Sequence, residues 1–560
     1  MASDKPPARQ GRRARAPAPA TRRTATAAKP APLVAGRQGR ATLAARLSSA
    51  HQAQLLGLIP IVLFAALLHL SVMPLVADND SFYHIRHAWV YRTRGIFDSA
   101  FPWTQYSAVR TYAADIWYGF HILLVPLTLL NTLLDGLYCG AFLVTVGALW
   151  LAFLAFCRLR VRWPLFWTFF LPLIAADLLY RLTMLRPHAL TLGLAMLLFA
   201  YLVTQPTRRS ELAIFLIAAA AAWIHIALIW LPVLLAAVVS VVRLLFREMP
   251  EWRKLGAFSA GLALGIVLRP HPAGALHLAY IQVVQFMAAK HLPLRFGREL
   301  FPFFGVHFLD QFMPISVLLL LAIGILFVLA RRKRWSAIDL GSRVAIVASL
   351  AVATLFFVLT FTVARRSHEE FIGFAAIFLA LIFHQWRPAV REAGAKLVIL
   401  TALVALLCAP VAAIYRFSTY QLFNPLEFQA VGEWLAQHAQ PGEIVFHPQW
   451  DRFAELFFWN PSNYYINGMD PIFEYAYDPH FYWKTHYLAN DGTDAYTCGD
   501  FPCTDDQVIA THESLQEDFH AAYVVLEKGR NPRLNTYLST ATGFENVFES
   551  PTQVVYKVGS

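Results

Sequence analysis

Two carboxylates stand directly after the first long apolar run of the sequence. Asp78 and Asp80 are separated only by Asn79 and follow the apolar residues 55–77. Two acids at this spacing are typical of a general base or of ligands for a hard divalent cation, Mg²⁺ or Mn²⁺, which prefers oxygen donors. The alternative is a solvated helix start at Asp80. We take Asp78 and Asp80 as the candidate catalytic residues.

Arginine and histidine recur at other apolar runs, at the ends that the orientation below places outside. Arg-Pro-His occurs at 186–188 and again at 269–271. Arginine outside the membrane runs against the preference of basic residues for the inside, so a compensating anion is expected. Guanidinium groups bind phosphate oxygens in pairs, although pairing with a nearby acid or with lipid heads is the alternative. The predicted phosphate-binding residues are His84, Arg86, Arg186, His188, Arg269, His271, Arg365, Arg366 and His368.

The composition predicts a membrane scaffold for these residues. Of the 560 residues, 57% are hydrophobic and 15% are charged, which is unusual for a soluble protein. The run 55–77 is about 23 residues long, enough to cross a hydrocarbon core of about 30 Å and too long for a signal peptide. The predicted fold class is a polytopic α-helical membrane protein with a small C-terminal α/β extracytoplasmic domain.

The distribution of Lys and Arg between short loops predicts the orientation. With the basic N-terminal tail in the cytoplasm, residues 78–138 form a large outer loop, in which 117–130 is a juxtamembrane or re-entrant helix. About eleven spans follow from this assignment, and an odd number places the C-terminal domain outside. The predicted spans are 55–77, 140–156, 164–180, 188–204, 211–226, 228–246, 255–268, 312–330, 343–363, 371–386 and 397–415.

Three domains are predicted. Residues 1–50 form a disordered basic tail, because they contain eleven Lys or Arg, Asp4 as the one acid and no apolar periodicity. This tail accounts for most of the net charge of +12, which argues against a nucleic-acid partner. Residues 51–416 form the transmembrane domain. Residues 417–560 form the outer domain, with strands predicted at 444–446, 522–526 and 554–558.

Cys498 and Cys503 flank a short polar segment of the outer domain. A disulfide between them is compatible with an oxidising compartment, whereas a zinc site needs two more ligands that the sequence does not offer in register.

The first outer loop resembles that of a known family. Acids directly after a first span, followed by Tyr83-His84-Ile85-Arg86, Phe101-Pro102-Trp103 and the helix 117–130, resemble lipid-dependent glycosyltransferases with the GT-C fold. The oligosaccharyltransferase catalytic subunits and the protein mannosyltransferases belong to this group. The resemblance in layout covers residues 55–560, and the matching residues lie in short stretches.

The resemblance implies a polyprenyl-phosphate or polyprenyl-diphosphate sugar donor and an acceptor on the periplasmic or lumenal face. Asp78 or Asp80 takes the role of base or metal ligand, and Glu369 or Glu370 contributes a second acid to a divalent cation site. Oligosaccharyltransferases carry Trp-Trp-Asp-Tyr-Gly in the outer domain, where this chain has only Gln449-Trp450-Asp451-Arg452-Phe453. This departure does not support recognition of a glycosylation sequon. Trp450 and Asp451 are still acceptor-binding candidates, and a buried Trp beside a helix-capping Asp is the alternative.

The main rival function is a multi-span transporter or lipid flippase. Transporters tend to have internal repeats and midplane charges, whereas the ionisable residues here lie at one face. The expected partners are a lipid-linked sugar donor and membrane lipids, with an acceptor that the sequence does not identify. The expected location is a bacterial inner membrane with the C-terminal domain in the periplasm; an endoplasmic reticulum membrane has the same polarity.

Overall fold

The chain is described by a computed structural model. The structure describes residues 35–292, 294, 296–303, 308–331, 334–386, 393–493, 495–496, 508–509 and 511–559. The chain divides into two units at the boundary between Leu55 and Leu56. Cys498 and Cys503 lie outside the described residues, as does most of the predicted tail 1–50.

Helices dominate the first three quarters of the chain. They are α1 Ala35–Val72, α2 Asp80–Arg94, α3 Ala108–Tyr112, α4 Tyr118–Leu124, α5 Leu133–Arg158, α6 Pro164–Ile174, α7 Ala176–Arg181, α8 Pro187–Val203, α9 Arg208–Ile224, α10 Trp230–Leu245, α11 Trp252–Val267, α12 Pro272–Tyr280, α13 Phe286–Ala289, α14 Phe308–Arg331, α15 Leu340–Thr362, α16 His368–Gln385 and α17 Ala393–Phe417.

Seven helical segments among the described residues are long and apolar enough to cross a membrane. They are Gln54–Val72, Leu133–Arg158, Ile226–Leu245, Phe312–Arg331, Leu340–Thr362, Arg365–Gln385 and Ile399–Phe417, and three shorter apolar helices are Tyr118–Leu129, Pro164–Ile174 and Pro187–Val203. The chain is therefore an integral membrane protein, and the predicted fold class is confirmed. Each predicted span overlaps a helix, while the count of about eleven stays a prediction.

Close helix packing in the bundle depends on small residues. A Cβ atom at Gly261 or Gly265 of α11 would collide with the backbone carbonyl groups of Phe215 and Ala219 on α9. Helices in a membrane gain most of their association energy from such close contact, because lipid is as apolar as the side chains. The glycines, four residues apart, let α9 and α11 approach backbone to backbone.

The C-terminal part of the chain forms an α/β domain. Its elements are α18 Gln429–His438, β1 Ile444–Phe446, α19 Phe453–Trp459, β2 Tyr464–Tyr465, α20 Pro471–Tyr477, α21 Pro479–Ala489, β3 Ala495–Tyr496, β4 Val508–Ile509, α22 Thr511–Glu513, β5 Ala521–Glu527, α23 Pro532–Thr540, β6 Phe544–Glu549 and β7 Gln553–Val558. Five strands form a mixed sheet in the order β2-β1-β5-β7-β6, with β1 parallel to both β2 and β5 and β7 antiparallel to both β5 and β6. The three predicted strands are all present.

The first outer loop is bound to this sheet. Residues 103–106 run alongside β2, where Tyr465 N donates to Trp103 O at 2.7 Å and Gln105 N donates to Tyr465 O at 2.8 Å. Val76, just after α1, pairs with Phe423 through two backbone hydrogen bonds of 3.0 and 2.8 Å. The loop that carries Asp78 and Asp80 is thus held between the helices and the outer domain.

A buried carboxyl group in α20 makes the stability of the outer domain depend on pH. Burial raises the pKa of Glu474 to about 8, against hydrogen bonds from Thr485 and Asn467 that favour the carboxylate. The folded state then binds a proton that the unfolded chain releases above about pH 4.5, so stability is lost as pH rises through 8. We expect Glu474→Gln to stabilise the protein by about 1 kcal/mol at pH 8, because the neutral amide removes the cost of a buried charge. The amide oxygen still accepts from Thr485, and with the Asn467 amide flipped the amide nitrogen donates to Asn467 Oδ1 in place of the bond from Asn467 Nδ2.

Urea unfolding at pH 5 and pH 8 measures this effect. The gain should be larger at pH 8, and the exposed Glu433→Gln on α18 is the matched control. Equal effects of Glu474→Gln at both pH values would contradict a raised pKa.

Candidate active site

The acidic pair of the first outer loop binds one arginine. Arg186 Nε donates to Asp78 Oδ2, and Arg186 Nη2 lies 2.6 Å from Asp80 Oδ2. The position of Arg186 follows from the sequence, because it precedes Pro187, the first residue of α8, and adopts the extended backbone that a residue before proline prefers. The two predicted catalytic acids and the predicted phosphate-binding residue Arg186 therefore meet.

The two acids have different environments. The Asp78 side chain is 8% exposed and also accepts a hydrogen bond from Ser81 Oγ, whereas the Asp80 side chain is 34% exposed. Although part of its side chain is exposed, desolvation by the surrounding protein raises the pKa of Asp80 to about 6, and the charges of Asp78 and Glu299 add to this against Arg186 and Arg366. The raised pKa of Asp80 suits a proton acceptor near neutral pH, and the buried Asp78 anchors Arg186.

Glu299 lies where three arginines converge. Its carboxylate oxygens are 2.9 Å from Arg181 Nη2, 3.5 Å from Arg186 Nη1 and 3.6 Å from Arg366 Nη1. Although burial disfavours its charge, these arginines hold the pKa of Glu299 well below its usual range. Three guanidinium groups around one anion form the kind of site that a phosphate group occupies.

Two further contacts connect predicted residues to these arginines. Arg366 Nη2 contacts His188 Nε2, and Glu369 Oε1 lies 2.7 Å from Arg181 Nε. We name the acid–arginine cluster as Asp78, Asp80, Arg181, Arg186, Glu299, Arg366 and Glu369. Arg181 and Glu299 were not among the predicted site residues, although Arg181 directly follows the predicted span 164–180 and Glu299 lies between the predicted spans 255–268 and 312–330.

Other predicted residues have different partners. Arg365 forms a two-pronged ion pair with Asp177 beside the cluster, at 2.9 and 2.8 Å. Buried Arg269 donates to the backbone oxygens of Asp115 and Trp223, at 3.1 and 3.0 Å.

The remaining predicted residues lie as follows. Arg86 donates to Phe458 O and stacks on Trp89, His271 is exposed before α12, and the His368 ring packs 4.5 Å from Phe312. Glu370 follows Glu369 on α16, and Trp450 and Asp451 lie in a cleft of the outer domain.

His84 belongs to a buried chain of hydrogen bonds beneath the cluster. Asp115 Oδ2 lies 2.6 Å from His121 Nδ1, and His121 Nε2 lies 2.8 Å from His84 Nδ1. Asp115 also accepts from Tyr91 OH at 3.0 Å. His84 stands one helical turn after Asp80 on α2. These hydrogen bonds therefore fix the orientation of the His84 imidazole on the face of α2 that carries Asp80.

His87, Asp115 and His121 are the one group among the described residues whose donor atoms lie close enough for a metal ion, within 4.8 Å. The rings of His87 and His121 are stacked at 4.3 Å and 28°, and Asp115 and His121 are also linked by the hydrogen bonds that lead to His84. At the predicted cation site, Asp78 and Asp80 bind Arg186, and Glu369 binds Arg181. A divalent cation at Asp78, Asp80, Glu369 and Glu370 stays a prediction.

The fold is shared with solved membrane transferases. No protein-family model and no curated protein matches the sequence. The arabinofuranosyltransferase AftD from Mycobacteria superposes with a TM-score of 0.52 at 15% identity, over 90% of this chain and 40% of AftD. ArnT from Cupriavidus metallidurans in the apo state superposes with a TM-score of 0.51 at 13% identity, over 90% of this chain and 98% of ArnT. ArnT bound to undecaprenyl phosphate superposes with a TM-score of 0.51 at 14% identity, over 89% of this chain and 97% of ArnT.

These similarities establish the GT-C fold of membrane glycosyltransferases and confirm the predicted resemblance. Among the similar structures, ArnT matches this chain over nearly its full length, whereas the chain spans 40% of AftD.

Proposed function

We propose that this protein is a membrane glycosyltransferase that moves a sugar or glycan from a polyprenyl-phosphate or polyprenyl-diphosphate donor to an acceptor. The reaction takes place on the periplasmic face of a bacterial inner membrane. The fold supports the class, and a similar structure, ArnT, is bound to undecaprenyl phosphate.

The convergence of Arg181, Arg186 and Arg366 on Glu299 carries the proposal. The three arginines come from the end of α7, from the residue before α8 and from the turn before α16, yet they surround one carboxylate. A donor phosphate displaces Glu299 and takes over these guanidinium groups, which then stabilise the phosphate as it leaves.

The chemistry is a displacement at the anomeric carbon of the donor sugar. The acceptor hydroxyl oxygen forms a bond to that carbon while the bond from carbon to the phosphate oxygen breaks, and the bonding electron pair leaves with the phosphate. Asp80 takes the proton of the acceptor hydroxyl. Asp78 holds Arg186 beside it and is a positioning residue. A divalent cation bound at the acids would supply further charge stabilisation to the leaving phosphate.

The proposal is tested by transfer with the full chain in lipid nanodiscs. Radiolabelled polyprenyl-phosphate sugars and polyprenyl-diphosphate sugars are supplied with a membrane extract as acceptor source, with and without EDTA. Transfer from one donor class identifies the leaving group. Absence of transfer and of polyprenyl-phosphate binding across the panel would overturn the proposal, whereas movement of the intact lipid between leaflets would favour the flippase.

Replacement of Glu299 tests the displacement step. We expect Glu299→Ala to tighten the binding of polyprenyl phosphate by about tenfold, because a competing anion is removed from three arginines. Binding is measured by native mass spectrometry or by a fluorescent polyprenyl phosphate, and exposed Glu545→Ala on β6 is the control. Weaker binding by Glu299→Ala would mean that Glu299 holds the arginines in place instead of competing with the ligand.

A further inference from the structure

A cleft of about 620 Å³ lies between the outer domain and the loop that carries Glu299. Trp450, Asp451 and Arg530 line one wall, and Phe296 and Phe301 line the other. Arg530 is 42% exposed, Asp451 is 33% exposed and Phe301 is 39% exposed, so polar and aromatic groups both face a ligand in the cleft.

Both walls of the cleft are joined to the acid–arginine cluster. On one wall, Asp451 O accepts a hydrogen bond of 3.2 Å from Asn79 Nδ2, and Asn79 stands between the two catalytic acids. On the other wall, Phe301 is two residues from Glu299 and its carbonyl oxygen accepts from Arg365 N at 2.8 Å. A molecule in this cleft therefore lies beside the segment that presents Asp80.

The charges of the cleft disfavour an anionic ligand. Arg530 is paired with Asp451 through contacts of 3.1 and 3.2 Å, and Asp491 adds a second acid to the lining. Asp491 accepts hydrogen bonds from the backbone N–H groups of Arg533 and Leu534 at the start of α23. The lining residues carry one cation against two acids, so a phosphorylated lipid or glycan gains no net attraction there.

The same groups suit a neutral sugar. An aromatic face packs against the C–H groups of a sugar ring, while carboxylate, guanidinium and amide groups exchange hydrogen bonds with its hydroxyls. Trp450 and Phe301 supply the aromatic surface, and Asp451, Arg530 and Asn490 supply the polar groups. The cleft volume of about 620 Å³ lies within the range of about 300–1,000 Å³ that is usual for small-ligand sites, which suits a short saccharide.

We infer that this cleft binds the acceptor and that the acceptor is the end of a neutral saccharide chain. The inference rests on the proposed function and names its acceptor class. The saccharide lies between Trp450 and Phe301, Asp451 and Arg530 hold its hydroxyls, and one terminal hydroxyl is directed to Asp80.

Binding without any donor tests the inference separately from transfer. The full chain in nanodiscs is mixed with neutral linear tri- to hexasaccharides of glucose, mannose, galactose and arabinose, and saturation-transfer NMR reports which of them bind. We expect at least one series to bind. Trp450→Ala and Arg530→Gln should each raise the Kd for that series by about tenfold. Polyprenyl-phosphate binding should stay unchanged in both variants.

The controls separate the outcomes. Exposed Arg110→Gln in the first outer loop should leave saccharide binding unchanged, and Arg530→Gln removes a side chain that is not part of the core, so misfolding cannot mimic the result. Saccharide binding that survives both cleft variants would overturn the cleft assignment. Binding only of a phosphorylated glycan, of lipopolysaccharide or of an acceptor peptide would overturn the saccharide class. If no saccharide binds but polyprenyl phosphate still does, this inference fails while the proposed function stands.

Discussion

Asp80→Asn should reduce sugar transfer by about a thousandfold while donor binding persists. The amide has nearly the same shape as the carboxylate. Its oxygen can still accept the hydrogen bond from Arg186 Nη2, which lies 2.6 Å from Asp80 Oδ2 in the native protein. What it cannot do is take a proton from the acceptor hydroxyl. The measurement is the single-turnover rate with saturating labelled donor, together with donor Kd.

The pH profile distinguishes loss of a base from loss of structure. The pKa of Asp80 is raised to about 6, chiefly by burial, so the carboxylate is charged above this pH and protonated below it. Transfer by the native protein should therefore fall as pH falls through about 6, and this limb should be missing from the residual activity of Asp80→Asn. Asp98→Asn, an exposed acid in the same outer loop, is the matched control. Full activity of Asp80→Asn would remove the proposed base.

Local sequence rules predicted the acid pair and its membrane setting, because both depend on neighbours along the chain. A long apolar run defines the first span, and the acids directly after it must lie at its end. The partners of those acids could not be predicted in the same way. Arg186 is 108 residues from Asp78, and Glu299 is 118 residues from Arg181, so their pairing depends on how the helices pack.

The repeated Arg-Pro-His triplet shows why a motif alone does not determine the partners of an arginine. In the first copy, Pro187 begins α8 and Arg186 points to the acids. In the second copy, His271 precedes α12 and Pro272 begins it, so the helix starts two residues later relative to the triplet. Arg269 then satisfies backbone carbonyl groups. The triplet indicates a helix start, and tertiary packing decides what the arginine binds.

The break between α6 and α7 was equally invisible to apolar periodicity. A single span was predicted over 164–180, but α6 ends at Ile174, Ala175 is extended and α7 begins at Ala176. Pro172 removes a helical N–H donor just before this break. The break shapes the acid–arginine cluster, because the short α7 carries Asp177 to Arg365 and Arg181 to Glu299.

Arg186→Gln should abolish transfer and destabilise the fold by about 3 kcal/mol, the cost typical of leaving buried charges unpaired. Each guanidinium nitrogen of Arg186 has an acidic partner: Asp78 on Nε, Asp80 on Nη2 and Glu299 on Nη1. Without the arginine, three carboxylates repel one another, and this repulsion raises the pKa of Asp80. Asp80 then stays protonated at neutral pH and cannot take a proton from the acceptor. Unfolding in urea and single-turnover transfer measure the two effects.

A second substitution separates these two roles of Arg186. Asp78→Asn in the Arg186→Gln background removes one of the repelling charges from the most buried position of the pair, so part of the lost stability should return. Transfer should not return, because the guanidinium group that stabilises the leaving phosphate is still missing. If stability and transfer recover together, Arg186 acts only by holding the acids in place. If stability alone recovers, Arg186 acts on the substrate directly, which is the result that the convergence of arginines on Glu299 predicts.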